Sequence, residues 1–178
     1  IVGSNEIDCA RMDVSLRNIF ASKQEELRQT LAAIDPAVFR SVVERIQGAR
    51  LVFCAAMGNT IPVAMDAAYK FNELGLTAIS APVWENMLAM MHSVMPDDVL
   101  LAISASGETK DLMRIVMAAR DRGARIILVT NQVHSSIARM SDHVLHAVSQ
   151  ERMFFRTFSF SSTRLSMTAV VEAIYYML

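Results

Sequence analysis

Long apolar runs are missing from this sequence: no stretch approaches the ~18–20 residues that a helical membrane span needs. Yet 53% of its 178 residues are hydrophobic and the mean hydropathy is +0.31, which is high for a soluble monomer. The excess points to a wide subunit interface, and no membrane partner is expected. Cysteine is scarce. Cys9 and Cys54 stand far apart without metal-ligand spacing, so they read as free thiols in a reducing compartment, with the cytoplasm as the expected location. Charge of one sign is lacking as well: 17 Lys and Arg face 18 Asp and Glu, for a formal net charge of −1. With no basic block, these residues carry no electrostatic footprint for nucleic acid. The absence of a Walker loop and of a Gly-x-Ser-x-Gly elbow removes support for nucleotide binding and serine hydrolysis. Ile1-Val2-Gly3 has the look of an activated trypsin-like N-terminus, but no Gly-Asp-Ser-Gly segment accompanies it. His92, His134, His143 and His146 form no ligand pair on a helical face, and His143 and His146 face opposite sides of an extended run. Neither a metal nor a cofactor is expected. The thirteen methionines read as adaptable core and interface filler.

What is present is an alternation of element types. Residues from about 12 to 34 predict a helix with Leu16, Ile19, Phe20, Leu27, Leu31 and Ile34 near one face. Asp35-Pro36 supplies an N-cap and a first-turn proline for a second helix, which carries Phe39, Val42, Val43 and Ile46 on one side. From Leu51 onward short apolar runs follow: Leu51–Cys54, Leu76–Ser80, Val99–Ile103, Ile126–Thr130 and Val144–Val148. Helices near 61–74, 83–93 and 109–122 separate the first four, and another is expected near 158–178. This β-α-β alternation predicts an α/β fold in which a five-stranded parallel sheet is covered by helices on both faces, a three-layer α/β/α sandwich. Crossovers should be right-handed, and sites should form at the carboxyl ends of the strands.

Ser104-Ala105-Ser106-Gly107-Glu108-Thr109 falls at such an end, between the run Val99–Ile103 and a helix with Leu112, Ile115, Val116 and Ala119 on one face. Free backbone N–H groups and the positive end of a helix dipole converge at such a turn, and three hydroxyls add donors without charge. An anion such as phosphate suits it. The same residues also suit simple helix capping and turn closure, and both readings stand at this level. Gly107 lets the backbone approach an anion without a side-chain clash. Glu108 is awkward beside a phosphate and faces the rest of a ligand, a neighbouring subunit or, by default, solvent.

Three segments in order resemble the SIS domain, the sugar-isomerase module that binds phosphosugars. Phe53-Cys54-Ala55-Ala56-Met57-Gly58-Asn59-Thr60 is similar to the family's Gly-x-Gly-x-Ser turn, with Ala56 at the first glycine and Thr60 at the serine. Ile103 to Thr109 is similar to its phosphate-binding turn. Ile127-Leu128-Val129-Thr130-Asn131, followed by Ser135-Ser136-Ile137-Ala138 and Asp142, resembles its next strand and loop. Within that family the chain most resembles the effector domain of RpiR-type bacterial transcriptional regulators. Lys23-Gln24-Glu25-Glu26-Leu27 and Ala32-Ala33-Ile34-Asp35 resemble its connector, Ala68 to Gly75 its first domain helix, and Phe160-Ser161-Ser162-Thr163-Arg164-Leu165 its serine-rich approach to the last helix. The resemblance implies a flavodoxin-like sheet over residues 36–178, preceded by a connector in residues 1–35. Ala56 disfavours φ > 0 and adds a methyl group where a backbone would approach the ligand.

The site residues implied are Ser104, Ser106, Gly107 and Thr109 for phosphate, with Asn59, Thr60 and Glu85 for the sugar. Glu151, Arg152 and Arg156 are further candidates for the pocket or a partner, and Ser161 and Ser162 for helix capping; a solvated loop accounts for the charged three equally well. Two functions follow. The first is a sensor without catalysis, taking a phosphorylated sugar or sugar acid and acting as a homodimer or homotetramer. Its DNA contacts would come only through a helix-turn-helix domain that is not among these residues. The alternative is an aldose–ketose or phosphohexulose isomerase of the same fold, which requires a positioned base; Glu85, Glu151 and the histidines are the candidates.

Overall fold

The computed structural model describes residues 9–149 and 164–178. Eleven helices and strands follow in order. They are α1 (Met12–Ala32), α2 (Pro36–Gln47), β1 (Val52–Ala56), α3 (Ile61–Glu73), β2 (Ala78–Ser80), α4 (Trp84–Met90), β3 (Val99–Ser104), α5 (Lys110–Asp121), β4 (Arg125–Thr130), β5 (His143–His146) and α6 (Arg164–Met177). The strands pair in parallel in the order β2-β1-β3-β4-β5. Strands β1 and β3 are buried along their whole length, as uninterrupted apolar runs in a sheet covered on both faces must be.

Successive strand residues point to opposite faces, and two cores result. Cys54, Leu101, Ile103 and Val129 meet Phe71 of α3, Ile46 of α2 and Val170 and Ile174 of α6. Phe53, Leu100, Ile126 and Leu128 meet Met87 of α4 and Leu112, Ile115 and Val116 of α5. The Cys54 thiol is fully buried in the first of these, and desolvation raises its pKa far above the ordinary thiol range. His143 faces Ser41 of α2, 3.2 Å between Nε2 and Oγ.

Helix α1 lies outside these layers and packs against α6 with its polar side inward. Ser15, Glu26 and Thr30 are buried. Glu26 pairs with Lys23 at 2.7 Å, and the Thr30 hydroxyl accepts the Val148 N–H at 2.9 Å. The apolar stripe points the other way: Leu16 is 58% exposed, Phe20 69% and Leu31 51%, with Met12 and Ile19 also exposed. Of the stripe read from the sequence, Leu16, Ile19, Phe20 and Leu31 face outward, Leu27 is half-buried, and Ile34 lies past the helix end and packs against the core; the polar side is the one that docks. None of the helices is long and apolar enough to cross a membrane among the described residues.

Candidate functional site

The sheet order reverses at β1, whose neighbours are β2 on one side and β3 on the other. In open parallel sheets such a reversal leaves a crevice beyond the strand ends. A cavity of about 330 Å³ occupies it. Met57, Asn59 and Thr60 line it from the turn after β1; Ser104, Ala105, Ser106 and Thr109 from the turn after β3; and Asn131 and Gln132 from the segment after β4.

Each turn is fixed by its own polar atoms. Gly58, at φ +61°, opens the first. The Thr60 hydroxyl, buried, lies 2.9 Å from the Met57 carbonyl and 3.2 Å from that of Ile103, so it ties the first turn to β3. In the second turn the buried Ser104 Oγ accepts the Gly107 N–H at 3.0 Å, and Ser106 Oγ accepts the Glu108 N–H at 3.2 Å. Both serines act as acceptors in these contacts, which leaves their hydroxyl protons for donation. Thr109 occupies the N-cap position of α5 in an extended conformation, yet its side chain makes no cap hydrogen bond. Among the described residues, no side chain caps the backbone N–H groups at the start of α5. The Asn131 Oδ1 is buried without a hydrogen-bond partner.

Gly107 adopts φ +63°, and a Cβ there would lie 2.0 Å from Ser135 Oγ. The close approach that demands glycine is thus to the segment after β4, where the sequence suggests one to a ligand. That segment also binds the turn through its backbone: Asn131 N–H donates to the Ala105 carbonyl at 3.3 Å and Ile137 N–H to that of Gly107 at 3.1 Å. Thr130 Oγ1 donates to the Ala105 carbonyl at 3.3 Å.

Of the residues implied by the sequence, Asn59, Thr60, Ser104, Ser106 and Thr109 line one cavity, while Gly107 is buried outside the lining and backs onto Ser135. Glu85 sits exposed on the first turn of α4, outside that lining. Ala56 ends β1 in register with Ile103, buried and also outside the lining, so no left-handed conformation is asked of it. Glu151, Arg152, Arg156, Ser161 and Ser162 lie outside the described residues. Asn131 and Gln132 are members of the lining that the sequence reading does not select. Their signal was their place just past the fourth apolar run, at the same sheet edge as Ser104.

The SIS domain family model matches residues 45–177. The chain belongs to that family. It is 34% identical over 132 residues to glutamine–fructose-6-phosphate aminotransferase [isomerizing] of Pyrobaculum aerophilum, an alignment covering 74% of this chain and 21% of that protein. It is 32% identical over 128 residues to an uncharacterized HTH-type transcriptional regulator of Clostridium perfringens, covering 72% of this chain and 46% of the regulator. The chain thus matches less than half the length of these curated relatives. Among solved structures, the sugar isomerase domain of the RpiR transcription factor from Sphaerobacter thermophilus superposes with a TM-score of 0.81 at 24% identity, covering 94% of this chain and 89% of that one. The Vibrio vulnificus NanR protein complexed with ManNAc-6P superposes at 0.79 with 21% identity, covering 99% and 69%.

Proposed function

We propose that this chain is the phosphosugar-sensing effector domain of a bacterial transcriptional regulator. One observation carries the reading. The uncapped start of α5 lies beside Ser104, Ser106 and Thr109 at a cavity whose described lining holds hydroxyls, amides and the apolar Met57 and Ala105, with no charged side chain. Such a set holds a phosphate by hydrogen bonds and the helix dipole. Asn59, Thr60 and Gly107 complete the binding set beside those three, and Glu85 stands at its margin. Residues 1–35 serve as connector and 36–178 as the sensing domain. A helix-turn-helix domain elsewhere in the full protein would make the DNA contacts, and the cytoplasm is the compartment for that role. The regulator relative and the RpiR fold neighbour support this reading. The isomerizing relative keeps an aldose–ketose isomerase as the alternative. An isomerase needs an acid–base group at the sugar carbons; of the candidate bases, Glu85 lies outside the described lining and Glu151 outside the described residues.

Titration calorimetry against hexose, hexosamine and hexulose phosphates tests the proposal. A ligand of this class should bind and stay chemically unchanged by NMR, and its dephosphorylated form should bind far more weakly. The Ser106→Ala variant should lose about 10- to 100-fold in affinity, the value of a hydrogen bond to a charged group. Equal affinity for sugar and sugar phosphate would sink the reading, and turnover would move it to the isomerase.

The outward stripe of α1 supports a homodimer or homotetramer. Light scattering should give a multiple of the 19.7 kDa chain, and Leu16→Asp with Phe20→Asp should give the monomer. Burial of each such side chain is worth about 1.5–3 kcal/mol. A wild-type chain that stays monomeric at micromolar concentration would contradict this.

A further inference from the structure

A carboxylate within an anion-binding turn works against the site unless it is turned away and its charge is engaged. Glu108 meets both conditions. It lies outside the cavity lining, and its Oε1 accepts the Ser136 N–H at 2.7 Å. Arg139 sits beyond Ser136, donating to the His134 carbonyl at 2.6 Å and to Ser136 Oγ at 3.0 Å. The Ser136 backbone N–H first, then its hydroxyl and the Arg139 charge, hold the Glu108 carboxyl below the ordinary range. Glu108 is therefore ionised at neutral pH with its charge directed at the segment after β4.

The links between that segment and the turn form a series. Asn131 meets Ala105 close to the strands, Ile137 meets Gly107 in the middle, and Ser136 meets Glu108 at the rim. Gly107 leaves the space that Ser135 Oγ fills. The rim link is the charged one of the three, and charge-assisted hydrogen bonds are the stronger kind. The same segment carries Asn131 and Gln132, which form one wall of the cavity.

We propose that Glu108 is a positioning residue: its carboxylate seats residues 131–139 against the turn and so fixes both the turn's N–H groups and the wall that bears Asn131 and Gln132. Its relevance to ligand rests on the phosphosugar reading of the cavity; the seating itself does not. Two measurements separate them. In hydrogen exchange, Glu108→Ala should speed exchange of the Ser136 and Ile137 amides about tenfold, while Glu108→Gln, which keeps an acceptor oxygen but loses the charge, falls between Glu108→Ala and wild type. In titrations with inorganic phosphate, Glu108→Ala should weaken binding about fivefold and Glu108→Gln should recover part of the loss, with melting temperatures within roughly 2 °C because the side chain is exposed. Unchanged exchange in Glu108→Ala overturns the proposal, as does unchanged phosphate affinity. Faster exchange in a protein that binds neither phosphate nor any sugar phosphate supports the seating and overturns the phosphosugar reading.

Discussion

Helices α2 and α5 are the same length, 12 residues each, and both begin just after a residue in extended conformation, but they begin in opposite ways. At α2 the Asp35 carboxylate accepts the N–H groups of Ala37 and Val38 at 2.8 and 3.0 Å, and Pro36 removes one donor outright. The chain closes that end with its own charge. At α5 Thr109 holds the equivalent position, is able to cap, and does not. The hydroxyls of Ser104 and Ser106 accept from neighbouring backbone instead of from the helix start. Side-chain capping is the exception here, since α1, α3 and α4 also start without it. What sets α5 apart is the group of hydroxyls lining the cavity beside its open start, on a turn that the segment after β4 holds by backbone hydrogen bonds.

Closing α5 in the manner of α2 is the strongest way to break that contrast. Thr109→Asp places a carboxylate where the backbone is already extended, so the side chain reaches the donors that a phosphate would use. Phosphosugar binding should be lost altogether, by occupied donors and by like charge. The unliganded protein should gain about 0.5–1 kcal/mol, the lower part of the range for a cap, since Glu108 and Asp111 are close enough in sequence to repel the new charge. The mirror change, Asp35→Ala, should cost about 1 kcal/mol and leave binding unchanged. Thermal melts with and without ligand read both effects. If Thr109→Asp binds as well as wild type, the start of α5 is not the anion site.

The sequence made the contrast half legible. The Asp35-Pro36 cap and the Ser104–Thr109 turn both depend on adjacent residues, and local chemistry is what a single sequence displays. Apolar runs marked all five strands for the same reason, although β5 ends at His146, two residues short of the expected Val148. Whether Thr109 caps or abstains was not visible, because the choice depends on how β3 hands the chain to α5 in three dimensions. Nor was the seating of Gly107 against Ser135, which arises from β3 and β4 being neighbours. Ala56 shows a local rule applied at the wrong place: the glycine preference belongs to a left-handed position, and Ala56 completes a strand. In α1 the apolar stripe was plain, but its direction was set by what the rest of the chain offered. Ser15, Glu26 and Thr30 are the residues turned inward, with Lys23 on Glu26 and the Val148 N–H on Thr30.

The start of α4 offers the finest test of the contrast and the smallest effect. Val83, at its N-cap, makes no side-chain hydrogen bond, so this end too is left uncapped. Like α5 with Asp111, it carries a carboxylate in its first turn, Glu85, but the cavity lined by Ser104, Ser106 and Thr109 lies beside the start of α5 and not here. An acidic side chain there interacts favourably with the helix dipole and repels an anion. Glu85 is exposed and outside the cavity lining, so it meets a bound sugar only if the ligand extends beyond the crevice toward the end of β2. Glu85→Ala should therefore change phosphosugar affinity by less than about twofold, under 0.5 kcal/mol, and lower stability by about 0.3–1 kcal/mol through the lost dipole interaction. Calorimetry on the variant with the tightest ligand of the panel decides the matter. A tenfold loss of affinity without a matching loss for inorganic phosphate would place a sugar hydroxyl at Glu85 and extend the site to the β2 edge.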